Sequence, residues 1–236
     1  MALLFTVANF LDAMRKRTDN ESVSALDRFP DAECLGYLNR AVQTFHRIMV
    51  ESRAGNFKVS TATVATVSGT SVYALDATFY RLLNVNATID GRKQWLVPFD
   101  ENERAALSDT SVGWSGRPFR YSLVGSNIEF LPTPTAVYSI EVRYVPDPVV
   151  LVSGNSYDCV NSDGMNFIID QASKYMADKD EAWELSAALA SELTSLQMAL
   201  QSSLPNRDQN FPPRIQDVQG LPRGGSRGLR GRRWSR

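Results

Sequence analysis

One histidine and two cysteines are all the soft metal ligands that 236 residues hold. A structural zinc site needs four such groups in close spacing, and Cys34 and Cys159 stand far apart in the chain. His46 lies beside Phe45 in a predicted helix, where a lone histidine reads as packed or surface and not as a catalyst. Two cysteines close one bridge at most, so no disulfide framework is expected and a reducing, cytosolic origin fits best. Apolar runs fall far short of the ~20 residues of a membrane helix, so no membrane partner is expected. Residues 1–10 are apolar but lack a basic start, and Asp12 to Lys16 follow at once; they read as the beginning of an amphipathic helix and not as a signal peptide. Glycine is not arranged as GxGxxG or GxxxxGK[ST], the loops that cradle phosphates. Gly224-Gly225 has no strand before it. No cofactor or metal is expected.

Charge is present but unevenly placed. The formal net charge is −1, yet residues 221–236 contain six arginines and no acid, which leaves a net of −7 on the other 220 residues. An acidic body with a cationic end says more than the total does.

The patterning predicts an α+β protein. Val7, Phe10, Leu11 and Met14 share one face of a helix over Thr6 to about Arg17. Pro30, Asp31 and Glu33 mark a second helix start, with acids at the positive end of the dipole. Leu35, Leu38, Val42, Phe45 and Met49 then recur at 3-4-3-4 spacing, a packing stripe ending near Gly55. The period next changes to two. Strands are expected over Phe57 to Val67, Val72 to Leu75, Leu82 to Ile89, Gln94 to Val97, Phe119 to Val124, Ile128 to Leu131 and Tyr138 to Val145, with a tight turn at Asp90-Gly91. In the last strand Tyr138, Ile140, Val142 and Tyr144 alternate with Ser139, Glu141 and Arg143, one face dry and the other wet. Phe99 to Leu107 reads as a short helix and Ser108 to Gly116 as a loop. Helical spacing returns in Phe167, Ile168, Ala172 and Tyr175, and again in Leu185, Leu189, Leu193, Leu196 and Leu200. Pro205, Pro212 and Pro213 then make an extended linker. The expected organisation is a helical bundle built from residues 1–56 and 157–204, an inserted antiparallel β domain over 57–151, and an extended Arg-rich C-terminal arm over 205–236.

Candidate chemistry is sparse. Asp100-Glu101-Asn102-Glu103 and Asp178-Lys179-Asp180-Glu181 could be drawn as acid–base or metal clusters, but they read as solvated helix starts, the second with an aspartate capping the next helix. Asn86-Ala87-Thr88 fits a glycosylation sequon that has no secretory context. Trp95, Trp114 and Trp183 read as core or interface. The arm carries the partner signal: Arg223, Arg227, Arg230, Arg232, Arg233, Trp234 and Arg236 cannot bury enough apolar area to fold alone. They can neutralise nucleic-acid phosphates with Trp234 stacked on a base, or dock in an acidic protein groove. The plainest reading is a solubilising tail.

Three segments carry a family resemblance. Leu35-Gly36-Tyr37-Leu38-Asn39-Arg40-Ala41 lies on a helix. Tyr73-Ala74-Leu75-Asp76-Ala77-Thr78-Phe79-Tyr80-Arg81-Leu82-Leu83-Asn84-Val85 follows. Ile128-Glu129-Phe130-Leu131-Pro132-Thr133-Pro134 then leads to Tyr138-Ser139-Ile140-Glu141-Val142-Arg143-Tyr144. In this order, over about residues 30–200, the chain resembles the head-to-tail connector (portal adaptor) proteins of tailed bacteriophages. The resemblance implies a non-enzymatic virion protein at the head–tail junction, made in the bacterial host cytoplasm. It implies a homo-oligomeric ring, usually of twelve copies, that binds the portal protein, offers a docking surface to tail or further connector proteins, and lines a channel for genomic DNA. It also implies that the C-terminal segment, here Leu204 to Arg236, grips the portal.

Overall fold

The computed structural model describes residues 3–20, 29–52, 58–100, 103–104 and 116–203. Within them the chain is α+β, with helices toward both ends of the sequence and strands between. Helix α1 spans Val7–Arg17, where the Thr6 side chain accepts from the Asn9 N–H at 3.2 Å and Arg15, Lys16 and Arg17 face the negative end of the dipole. Helix α2 spans Asp31–Glu51, entered through Pro30 with Asp31 and Glu33 in its first turn, as the sequence predicts. Helix α3 spans Ser162–Lys179, capped by Asn161, and α4 spans Trp183–Ser203.

The helices close on one apolar cluster. The α2 stripe supplies Leu38, Val42, Phe45 and Met49; α3 supplies Phe167, Ile168 and Ala172; α1 adds Phe10 and Met14; α4 adds Leu193 and Leu200. Each large side chain removed from water contributes about 1.5–3 kcal/mol, so the recurrent spacing is enough to explain why these helices associate. A short ribbon of β1 (Leu4–Thr6) and β10 (Ser156–Asp158) seals one part of this cluster, with Tyr157 and Cys159 buried in it. The sequence reading contains neither strand, because three residues are too few for an alternation to stand out.

The remaining strands form two four-stranded sheets. One has the order β2 (Ser60–Ala65), β9 (Ser139–Pro146), β4 (Phe79–Ile89), β5 (Arg92–Trp95). The other has the order β3 (Val72–Ala74), β8 (Asn127–Leu131), β7 (Arg120–Val124), β6 (Val97–Pro98). A second apolar cluster fills the space between them, built on Val85, Ala87, Ile128, Phe130, Ile140 and Val142. The predicted alternation of β9 is realised: Ile140, Val142 and Tyr144 are buried while Ser139 and Arg143 are exposed. Asp90 and Gly91 both have positive φ, 51° and 75°, which is what a two-residue hairpin turn with right-handed strand twist requires. The pairs are antiparallel except β6 with β7, which run parallel because the chain leaves β5 through Leu96 straight into the second sheet. Most of the predicted helix over Phe99 to Leu107, and the loop up to Ser115, lie outside the described residues.

Candidate interaction surfaces

The helices and sheets meet at a polar seam. His46, buried on α2, has Nε2 3.0 Å from the Pro146 carbonyl at the end of β9, and its ring meets Tyr80 of β4 edge-on at 5.1 Å. Burial holds the imidazole below its ordinary value of 6.5, so it sits neutral and donates to that carbonyl. Arg81 donates to the Val50 carbonyl at 2.8 Å, ending α2 against β4. Lys58 places its ammonium 3.6 Å over the Tyr157 ring, and burial pushes its pKa down to about 8. Cys159 beside it is pushed up to about 12 by burial, which makes it an inert thiol. Both cysteines are free and buried, so no bridge forms.

Outside this seam opens a cleft of about 690 Å³, lined by Arg40, His46 and Arg47 of α2, Tyr80 of β4, Asp147, and Tyr175 of α3. Arg40 stacks on the Tyr175 ring at 4.3 Å. The lining comprises a neutral histidine, a stacked arginine and two tyrosines; none of them is placed as a nucleophile with its base. Across the bundle, Arg17 bridges two carboxylates, Asp170 at 3.0 Å and Glu192 at 2.6 Å, and so ties α1 to α3 and α4. Burial pushes Asp170 up to about 6 despite the arginine beside it.

The carboxylate clusters are structural where they are described. Asp178 accepts from Lys174 at 2.8 Å and from the Ser186 hydroxyl. These contacts hold its pKa below the ordinary value. It therefore clamps α3 to α4 through the Ser186 side chain. Asp180 is the C-cap of α3. Glu101 and Asn102 lie outside the described residues. Among the described residues no three of His, Cys, Asp and Glu converge as a metal site.

Two of the tryptophans are not in the core. Trp95 on β5 is 73 % exposed and Trp183 at the start of α4 is 65 % exposed. The exposure overturns the core reading for both. Trp114 lies outside the described residues. So do Arg223, Arg227, Arg230, Arg232, Arg233, Trp234 and Arg236, the whole predicted arm site. What the sequence reading missed is the Arg40–Tyr175 cleft: its residues come from three separate elements, and only their spacing on one face of α2, Arg40 and Arg47 two turns apart, hinted at it.

No curated protein matches the sequence. The SU10 adaptor protein family does, over residues 5–216, which takes in α1 through α4 and both sheets and stops short of the six arginines. The chain belongs to the SU10 adaptor protein family and is, on that footing, a phage structural adaptor, a component of the virion that contacts other phage structural proteins.

Proposed function

We propose that this protein is a head-to-tail adaptor without enzymatic activity. Copies form a ring beneath the portal, extend the DNA channel and offer a docking surface to the tail, while residues 205–236 grip the portal. The ring is of about twelve copies on the resemblance of its sequence to portal adaptors. The observation that carries the reading is the family match through the helices and both sheets. The bundle of residues 1–56 and 157–204 serves as the ring's body in this reading, and the β domain of 57–151 reaches a neighbour or the tail. A body of net −7 suits a channel wall that repels DNA and does not trap it.

The test is truncation. Helix α4 ends at Ser203, so removal of residues 205–236 leaves every described helix complete. The truncated protein should keep its melting temperature and lose portal binding in a pull-down with purified portal. Full affinity after truncation would remove the docking role.

A second reading is favoured by the arm's composition, six arginines with Trp234 and no acid: the arm binds nucleic acid. Up to six released counterions would then make binding fall steeply with salt, by about three powers of ten between 50 and 200 mM. No DNA or RNA binding at low salt would exclude it.

A further inference from the structure

Edge strands in soluble proteins are guarded by charge, proline, shortness or cover. The first sheet has one edge that is not. From Val59 to Leu75 the chain contains no charged residue and no proline, and β2 lies in this stretch at one margin of its sheet. At the opposite margin stands β5, all four residues exposed and ending in Trp95. Among the described residues nothing pairs with either outer side.

The hydrogen-bond alternation decides what each margin presents. Thr66 N–H donates to the Tyr138 carbonyl at 2.9 Å, in register with Val64 opposite Ile140 and Ala62 opposite Val142. Antiparallel alternation then turns the backbone groups of Thr61, Thr63 and Ala65 outward. On the far side Leu96 N–H donates to the Val85 carbonyl at 3.0 Å, in register with Ala87 opposite Gln94. Lys93 and Trp95 therefore present their backbone groups outward. Both sets belong to the same, solvent-facing side of the sheet: Thr61, Thr63 and Ala65 are exposed, as are Lys93 and Trp95. An even number of strands produces this match; an odd number would leave the two margins out of phase. Direction matches too, because β2, β9, β4 and β5 alternate antiparallel throughout. A β2 placed against a second copy's β5 continues the alternation.

We infer that β2 of one copy pairs with β5 of the next, joining the two sheets head to tail with Trp95 packed across the neighbour's threonines. The join uses two different surfaces of each copy, the heterologous contact that a closed ring needs, and it rests on the self-assembly part of the function proposed above. Aromatic against β-branched is a favourable cross-strand pair, and β2 offers no charge to oppose Arg92 and Lys93.

Cysteine pairs test it. Thr63→Cys is combined with Lys93→Cys in one variant and with Trp95→Cys in another, to cover two registers. Residues opposite each other in such a pair have Cα atoms about 5.5 Å apart, within disulfide reach. Within one copy the same positions are three strand spacings apart, roughly 14 Å, and native Cys34 and Cys159 are buried. Oxidation is carried out on the protein alone and on virions, with native mass spectrometry of the unmodified chain alongside. One double variant should yield a ladder extending past the dimer, and the single variants none. Dimers from Thr63→Cys alone would mean a two-fold β2–β2 contact and overturn the proposal. Intact assemblies with no ladder from either double variant would overturn this contact and leave self-assembly standing. A chain that is monomeric alone and in virions would overturn both. Independently, Thr63→Pro removes an outward N–H and should abolish assembly while the monomer's melting temperature stays within a few degrees; wild-type assembly by that variant would also overturn the pairing.

Discussion

Asn39 substitutes for a strand neighbour. Its amide donates to the Leu151 carbonyl at 3.0 Å and its oxygen accepts the Leu151 N–H at 2.7 Å, so one side chain on α2 satisfies both backbone groups of a buried residue in the connection after β9. Asn39→Ala leaves both unpaired, which should cost about 1–3 kcal/mol and be seen as a lower urea midpoint. Asp170 and His46 make a second residue-scale prediction, with opposite signs. The folded-state pKa of Asp170, about 6, lies above its ordinary 3.8. The native state then holds the proton more tightly, and stability falls as pH rises from about 4 to about 6. The full effect is on the order of 3 kcal/mol for a shift of this size. His46 is shifted below 6.5, so its contribution is present above 6.5 and is lost as pH falls through its folded value. In Asp170→Asn the opposing slope is gone: the urea midpoint, followed from pH 7 to pH 4, should fall more steeply than in the unmodified protein.

At the scale of elements, the start of α3 is tightly constrained. The Asn161 side chain accepts the Gly164 N–H at 2.8 Å. A methyl group on Gly164 would run into the Cys159 carbonyl and come within 2.7 Å of Phe45 Cζ. The carbonyl is backbone and Phe45 is fully buried, so neither can give easily. Gly164→Ala should therefore destabilise by about 1–3 kcal/mol despite alanine's better helix propensity, and Asn161→Ala by ~1 kcal/mol through loss of the cap. Thermal melts of the two variants distinguish this from a glycine that merely terminates a loop, where alanine would stabilise. The clamp between α3 and α4 through Asp178 and Ser186 belongs to the same scale.

At the scale of the whole molecule the two larger apolar clusters among the described residues, one among the helices and one between the sheets, are joined across a seam of directed contacts at His46, Arg81 and Lys58. Phe130 is fully buried between the sheets. Phe130→Ala should cost about 3–5 kcal/mol and lower amide-exchange protection in β4, β8 and β9 before it does so in α2 and α3. Simultaneous loss in all of them would show one cooperative unit and not two. Assembly and portal binding are read at this scale as well, by mass and by pull-down, and the cross-linking ladder reports which margins of the sheet meet.

Much of this was legible in the chain. The α2 stripe at 3-4-3-4 spacing, the alternation of β9 and the Asp90-Gly91 turn are local patterns, because burial on one face of a helix or sheet imposes a period on residues close in sequence. The family resemblance rests on the same local patterns. What the tertiary structure alone decided is non-local. It placed Tyr80, Asp147 and Tyr175 around Arg40, brought Arg17 to Asp170, exposed Trp95 and Trp183, and set four strands in an order that leaves β2 and β5 at opposite margins. Such juxtapositions join residues tens of positions apart, and no periodicity records them: they follow from how packed elements fill space, which is determined only when all the faces are buried together.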